Sequence, residues 1–409
     1  MNNQVVNKSI KVAISHDFFF QNGGAENVVE KLLDIYPQAD VYTTLFIPSK
    51  FFSNPNLSKA WGENRIKTTF IQSAFVWKNG LLLKYFKHFF WLYPILMRFV
   101  CIKNYDCLII SSTDCAKQIR VKNIKKIVHY CHSPTRYLHG LTTEQDHRSL
   151  PFVLKLVIPM FKYFLRKMDL KAVKYLNSKG CIWIANSVFI QNLIRTIYDS
   201  NSIVIYPPVE TQKYLSIKRH KIENDQNNFY LCHGRISFHK RLDIAILSCL
   251  ELGRKLKISG VSGMESQMTE LKNLVLEYER RNPSKIGMVE FLGRTTDAEL
   301  ERLVSTAKAF LFPGKEDFGI APVEMLAGGV PLIAYKSGGA LEYVEDGVNG
   351  VFCLEQNKDS FKFAILDFER IYDKDGFDEN KIRQSSQPFD SSIFEAKIIK
   401  IINDGNKNS

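Results

Sequence analysis

The chain lacks most of the features that would set it apart from ordinary globular proteins. Its eight cysteines (Cys101, Cys107, Cys115, Cys131, Cys181, Cys232, Cys249, Cys353) include no C-x-x-C pair, and most sit inside apolar runs. That spacing argues against a zinc ribbon or a disulfide framework and for small buried hydrophobes in a reducing cytosol. Glycine and proline are sparse, 22 and 14 in 409 residues, which excludes collagen-like and low-complexity chains. No internal repeat is visible. The opening MNNQVVNKSIKVAISHDFFF has neither the apolar stretch nor the cleavage site of a signal peptide. The most apolar region, Leu81–Ile102, is interrupted by Lys84, Lys87, Pro94 and Arg98. Its longest uncharged run, Phe89–Met97, falls short of the ~20 residues a spanning helix needs. Such a stretch can lie on a membrane and cannot cross one.

What is present is an ordinary globular balance, 45% hydrophobic and 24% charged, over a length that suits two or three domains. The net charge of +13 is one-sided. Residues 1–210 carry 27 Lys/Arg against 13 Asp/Glu, and residues 211–409 carry 28 against 29. A basic first half suggests an anionic partner: nucleic acid, an acidic membrane face or a phosphate-bearing substrate. Between Lys78 and Lys179, 19 basic residues face 5 acids, interleaved with Tyr85, Phe86, Phe89, Phe90, Trp91, Phe152, Leu156, Phe161 and Phe164. That mixture fits an interfacial helix on anionic lipid; it equally fits core residues backed by a solvated basic face. No helix-turn-helix, zinc finger or RNP motif supports nucleic-acid binding.

Strand-like and helix-like stretches alternate along both halves. Strands are expected at Ile10–Ser15, Val41–Phe46, Cys107–Ile110, Lys126–Tyr130 and Cys181–Ala185, with helices at Ala25–Tyr36 and Pro151–Leu176. The alternation restarts with strands at Phe229–His233, Lys255–Ile258, Val289–Leu292, Ala309–Phe312, Pro331–Ala334 and Gly350–Cys353. Helices are expected there at Arg241–Leu252, Met264–Arg280, Asp297–Ser305 and Pro322–Leu326. This pattern predicts two doubly wound α/β domains with parallel sheets and a ligand cleft at the strand carboxyl ends. Tyr206-Pro207-Pro208-Val209, followed by the polar stretch His220–Asn228, is the hinge candidate, because Pro-Pro cannot continue a central strand. The expected division is residues 1–206, 207–385 and a C-terminal helix, 386–409, crossing back toward the first domain.

Two segments carry the chemistry. In Phe312–Pro331 (FPGKEDFGIAPVEMLAGGVP) a strand ends, a loop follows, and a helix begins near Ile320–Pro322 and stops at Gly328-Gly329. Proline suits a first helical turn. The backbone N–H groups of Phe318, Gly319 and Ile320 then form an anion site at a helix N-terminus. Glu316 lies in the loop and Glu324 is expected in the first helical turn. Carboxylates there would repel phosphate and suit sugar hydroxyls; the plain alternative is a dipole-complementing Glu324 and a solvated Glu316. The second segment, His233-Gly234-Arg235-Ile236-Ser237-Phe238-His239-Lys240-Arg241, leaves a buried strand and enters a helix. Arg235 and Lys240 can grip a diphosphate, the one as a planar fork and the other as a point charge. Cations opposing a helix dipole favour that reading over a solvated basic turn.

These segments resemble the retaining glycosyltransferases of family 4, which have the GT-B fold: two Rossmann-like domains facing an interdomain cleft. The resemblance rests on E-x7-E (Glu316, Glu324), on GR-x-x-x-x-K (Arg235, Lys240) and on Ser337-Gly338-Gly339 with Glu342. In the first half it rests on Gly23-Gly24-Ala25-Glu26, on His129-Tyr130-Cys131-His132-Ser133-Pro134 and on Ala185-Asn186-Ser187. It runs from about Val12 to Phe352, and the HYCHSPTRY wording is similar to bacterial mannosyltransferases of O-antigen and capsule synthesis.

The resemblance implies roles. Arg235 and Lys240 would hold the donor diphosphate, Glu324 the ribose, and Glu316 with the Phe318–Ile320 backbone the donor sugar. Gly23 and Gly24 would let the chain approach the leaving phosphate and acceptor, and His132 would contact the sugar near the reacting centre. No enzyme nucleophile is implied; cations and N–H dipoles stabilise the leaving diphosphate, with no metal or other cofactor. Asp373-Lys374-Asp375 reads as D-x-D but is expected in a charged loop far from any phosphate-binding strand end. His129 and His132 point to opposite faces of a strand end, which disfavours a shared metal.

The function this implies is transfer of a hexose, best matched by mannose from GDP-mannose, to a growing, lipid-linked cell-surface glycan. The expected place is the cytoplasmic face of an inner membrane, bound peripherally. A UDP-sugar donor, a nucleotide-sugar epimerase and a silent partner subunit are the alternatives; the intact motif set argues against the last two.

Overall fold

The computed structural model describes residues 10–20, 23–51, 55–73, 91–141, 152–220, 228–374 and 376–404, with side chains throughout except at 152–158. The chain divides into two units, Met1–Pro208 with Ser392–Ser409, and Val209–Ser391.

The first unit is a seven-stranded parallel sheet: β1 Val12–His16, β2 Asp40–Thr43, β3 Ile66–Thr68, β4 Cys101–Ser112, β5 Arg120–Cys131, β6 Ile182–Ala185 and β7 Ser202–Val204. The order is β3-β2-β1-β4-β5-β6-β7, with parallel pairing throughout. β1 is buried along its whole length, as a central parallel strand must be. Val28, Val29, Leu32 and Leu33 of the helix Gly24–Ile35 are buried against it. The helix Ser391–Asn403 contributes Phe394, Ile398 and Ile402, one face at helical spacing, to this same core.

The second unit is a six-stranded parallel sheet: β8 Phe229–His233, β9 Lys255–Ser259, β10 Val289–Gly293, β11 Ala309–Phe312, β12 Leu332–Tyr335 and β13 Gly350–Cys353. The order is β10-β9-β8-β11-β12-β13. Its core includes Ile244, Ala245 and Cys249 of the helix Leu242–Leu252 and Phe361, Ile365 and Phe368 of the helix Lys358–Lys374. In each unit the strand order reverses once, between β1 and β4 and between β8 and β11. Ligands of doubly wound sheets bind outside strand carboxyl ends at that reversal.

The expected strands are present, β8, β11 and β13 at their expected bounds and the others with shifted ends. β3 and β7 are three-residue edge strands that the sequence pattern does not announce, and β4 and β5 each run to twelve residues. Their added N-terminal lengths, Cys101–Asp106 and Arg120–Lys125, mix charged and polar with apolar residues and so hide from a search for continuous apolar runs. Leu81–Phe90, with Lys84, Lys87, Tyr85, Phe86 and Phe89, lies outside the described residues, as do Gln21, Asn22 and Asp375 and most of the polar stretch after His220.

Candidate active site

In the second unit, β8 and β11 deliver the two motif segments side by side. After β8, Ile236 is buried and its N–H donates to the Val261 carbonyl (3.0 Å), which pins the turn. Arg235 beside it is exposed, and no ion pair holds it among the described residues. Lys240 closes a 3-10 turn, Phe238–Lys240, and Arg241, in a left-handed conformation, begins the helix Leu242–Leu252. Lys240 therefore precedes the helix, which corrects the expectation that its charge opposes the helix dipole. Arg241 is the cation at that helix start, and Asp243 in the first turn pairs with it (2.9 Å). Lys240 turns instead to Glu316: Nζ lies 2.5 Å from Oε1, with both side chains mostly buried.

The loop after β11 is wedged between two neighbours. A Cβ on Gly314 would stand 2.6 Å from the Lys240 Cα, and one on Gly339 would stand 2.1 Å from the Phe318 carbonyl oxygen. Only glycine lets backbones pass so closely. The Gly339 N–H donates to the Glu316 carbonyl (2.9 Å), and the Tyr343 hydroxyl donates to the Phe318 carbonyl (2.9 Å). The Phe318 ring packs on Tyr343 and Phe389. The helix Ile320–Ala327 then starts directly after Gly319, so its first N–H groups have no partner within the helix and face the loop.

Glu324 is the fifth residue of that helix, in its second turn, not the first. Dipole complementation fades beyond the first turn, so that plain explanation of Glu324 falls. Its carboxylate accepts from the Tyr214 hydroxyl, and burial pushes its pKa up to about 7 against the pull of Lys213, Tyr214 and Lys240. Arg383, which the sequence pattern did not single out, secures this arrangement. Its guanidinium donates to the carbonyls of Ala327 (2.8 Å), Leu215 (3.2 Å) and Ile217 (2.6 Å). One side chain thus ties the end of the Glu324 helix to the segment that follows Tyr214.

In the first unit the strand ends of β1, β4 and β5 form a buried polar cluster. His132 is buried; its Nε2 pairs with the Ser111 hydroxyl (2.8 Å) and its carbonyl accepts from Asn186 (3.1 Å). Burial, with His16 nearby, lowers its pKa to about 3, so its ring is neutral at ordinary pH. His129 is buried against the Trp183 ring, 4.3 Å between centroids. Gly23 caps the helix Gly24–Ile35 in an extended conformation, and Gly24 is exposed as its first residue.

Around His132 stand residues that no local spacing revealed. Asp17 accepts from the N–H groups of Ala116 (2.7 Å), Thr113 (2.6 Å) and Asp114 (3.0 Å). Burial alone would raise its pKa, but His16 and these N–H groups outweigh it and hold the carboxyl below its usual range. Asp114 is pushed up to about 8 by burial and by the Asp17 charge, and it accepts from the Tyr137 hydroxyl (3.1 Å). Lys117 pairs with Asp169 (2.9 Å) and donates to the Thr135 hydroxyl (2.7 Å), while Asp169 also binds His139 (2.9 Å) and Tyr198 (2.8 Å). This network fixes the His132–Leu141 segment to the end of β4. The signal for it was the density of polar residues, S-H-D and S-S-T-D, at the ends of apolar strands.

Asp373 is exposed in the last turn of the helix Lys358–Lys374, not in the expected loop, and lies 4.0 Å from Lys308. No group of three or more potential metal ligands occurs among the described residues.

Residues 215–382, which hold Arg235, Lys240, Glu316 and Glu324, match the family model of the glycosyl transferases group 1. That match covers the second unit's motif segments, and the two parallel sheets are those of the GT-B fold. It is similar to the α-1,3/1,6-mannosyltransferase ALG2 of Rhizomucor pusillus, 23% identical over 89% of this chain and 85% of the relative. It is similar also to the O-antigen chain mannosyltransferase RfbU of Salmonella typhimurium, 25% identical over 61% of this chain and 66% of the relative. The chain spans 38% of the length of one curated relative it matches, an uncharacterised glycosyltransferase of Methanocaldococcus jannaschii. Among solved structures, Anabaena HepE in complex with UDP-glucose superposes with a TM-score of 0.64 at 19% identity, over 96% of this chain and 99% of that one. No helix among the described residues is long and apolar enough to cross a membrane.

Proposed function

We propose that the chain is a retaining hexosyltransferase that moves mannose from GDP-mannose to a growing, lipid-linked cell-surface glycan, working peripherally at the cytoplasmic face of a membrane. The observation that carries the transferase chemistry is the Lys240–Glu316 pair, which joins the segment holding the exposed Arg235 to the loop that leads into the helix Ile320–Ala327. Arg235, Lys240 and the helix N–H groups are three kinds of fixed positive charge, suited to the charge that grows on a departing diphosphate. Glu316 orients Lys240 before the donor arrives and offers its other oxygen to sugar hydroxyls. Glu324, held by Tyr214, accepts from the ribose. His132, neutral and anchored by Ser111, contacts the sugar. The acceptor proton leaves with the departing phosphate on the same face, so the chain supplies position and charge and no nucleophile. Gly23 and Gly24 leave room for the acceptor.

Mannose is supported by the mannosyltransferase relatives and by the His129–Tyr137 wording; the lipid-linked acceptor is supported by the basic first half. The test is a thermal-shift comparison of nucleoside diphosphates. A ligand at a hundred times its Kd adds about 2.7 kcal/mol. GDP should raise the midpoint and UDP should not; the reverse result reassigns the donor, and no shift with either removes the nucleotide-sugar reading.

A further inference from the structure

The helix Phe152–Ser178 carries one acid, Asp169. That carboxylate is buried and fully engaged by Lys117, His139 and Tyr198. The outward side of the helix therefore shows only positive charge. At 100° per residue, Met160, Tyr163, Phe164, Lys167, Lys171 and Lys174 fall within an arc of about 100°, with Asp169 opposite. All six are exposed. Met160 is 72%, Tyr163 60% and Phe164 54% accessible. Large apolar side chains at i, i+3 and i+4 are thus left in water within one turn, followed over the next ~15 Å by lysines alone. Tyr163 is capped by Lys167, whose Nζ lies 4.5 Å from the ring centroid. Phe164 continues through Phe161 to the exposed Trp91 ring, and exposed Arg98 and Phe99 follow it in sequence.

We infer that this face is a docking surface for an anionic phospholipid bilayer, with Met160, Tyr163 and Phe164 entering the headgroup boundary and Lys167, Lys171 and Lys174 lying on the headgroups. The charge complementarity decides the occupant: a stripe free of exposed carboxylate, ending in apolar and aromatic side chains, suits a surface that offers phosphate outside and hydrocarbon beneath. A soluble polyanion would use the lysines and leave Met160 and Phe164 without a purpose. The inference rests on the proposed membrane-linked acceptor for its biological sense and on the helix face for its content.

The test is co-sedimentation of the full chain with vesicles of phosphatidylglycerol and phosphatidylcholine, beside vesicles of phosphatidylcholine alone. Binding should require phosphatidylglycerol and weaken at high salt, since the attraction acts within a Debye length of about 10 Å. Exchanging Met160, Tyr163 and Phe164 for Ser, or Lys167, Lys171 and Lys174 for Glu, should each reduce partitioning at least tenfold, while the thermal midpoint and its shift with nucleoside diphosphate stay at wild-type values. Equal binding by these variants, or indifference of wild type to anionic vesicles, overturns the surface. So does retention of the wild type by an anionic polysaccharide with no vesicle binding. Loss of the nucleotide shift with vesicle binding intact would strike the donor reading alone.

Discussion

Lys240 and Glu316, from segments that leave two different strands, meet at 2.5 Å with both side chains mostly buried. Each lies in a motif, and neither motif names the other as its partner. In the proposed reaction the pair joins the cation assigned to the diphosphate to the carboxylate assigned to the sugar, so a bound donor would compete with it for both groups.

Replacing Lys240 with Ala leaves Glu316 without its cation and removes one diphosphate contact. A charged hydrogen bond is worth about 1.5–3 kcal/mol, so GDP affinity should fall roughly ten- to a hundredfold. Arg235→Ala, at an exposed position, should weaken GDP binding with an unchanged thermal midpoint. Calorimetric titration reads both, and wild-type affinity in the double variant would remove the diphosphate assignment.

Glu324 links pH to stability. Its folded pKa is raised from 4.5 to about 7, so between those values the folded chain holds a proton that the unfolded chain has lost. Stability should therefore fall as pH rises from about 4.5 to 7 and level off above. Glu324→Gln should remove that slope, as read from thermal midpoints across pH. Donor affinity should move the other way, rising as the carboxylate forms to accept from the ribose. In Tyr214→Phe the lost hydroxyl no longer favours the charged form, so the binding midpoint should shift to higher pH.

Arg383 gathers carbonyls from two separate segments. Arg383→Ala strands them and should cost about 2–3 kcal/mol of stability. Because the Glu324 helix loses its anchor, KM for the donor should rise in material that remains folded. Denaturant melts and initial rates measure the two effects separately.

In the first unit, Lys117 and Asp169 are almost wholly buried as a pair. Removing one partner of such a pair costs about 3–5 kcal/mol. Asp169→Ala should therefore destabilise the chain by that amount in urea unfolding, and more than Asp169→Asn, whose amide oxygen can still accept from Lys117.

Turnover should persist in EDTA, because Arg235, Lys240 and helix N–H groups occupy the role an ion would take. Loss of activity that Mg²⁺ or Mn²⁺ restores would instead bring Asp373 back into the reaction.

The sequence made some of this plain. β8, β11 and β13 were legible to the residue, since each is a short, mostly apolar run that starts directly after a polar residue, Asn228, Lys308 or Asn349. The helix Lys358–Lys374 was passed over although Phe361, Ala364, Ile365 and Phe368 show helical spacing, because its one continuous apolar run, Phe363–Leu366, is short and flanked by charged residues. Arg235, Lys240, Glu316 and Glu324 were visible as motif letters, but Tyr214 and Arg383 were not. Their work is to bind backbone carbonyls and one carboxylate, which leaves no periodic trace. Asp17, Lys117 and Asp169 sit on three different elements, and only the strand order brings them together.

The two units differ in how they are threaded. Val209–Ser391 is continuous, whereas the first unit needs Ser392–Ser409 as well as Met1–Pro208. The second unit is thus an insertion within the first, and it alone can be excised by two cuts as one uninterrupted polypeptide. A first-unit fragment ending at Pro208 would lack Phe394, Ile398 and Ile402 and expose the apolar surface they cover. To prepare that unit by itself, the tail has to be spliced back after Pro208 or supplied as a separate peptide.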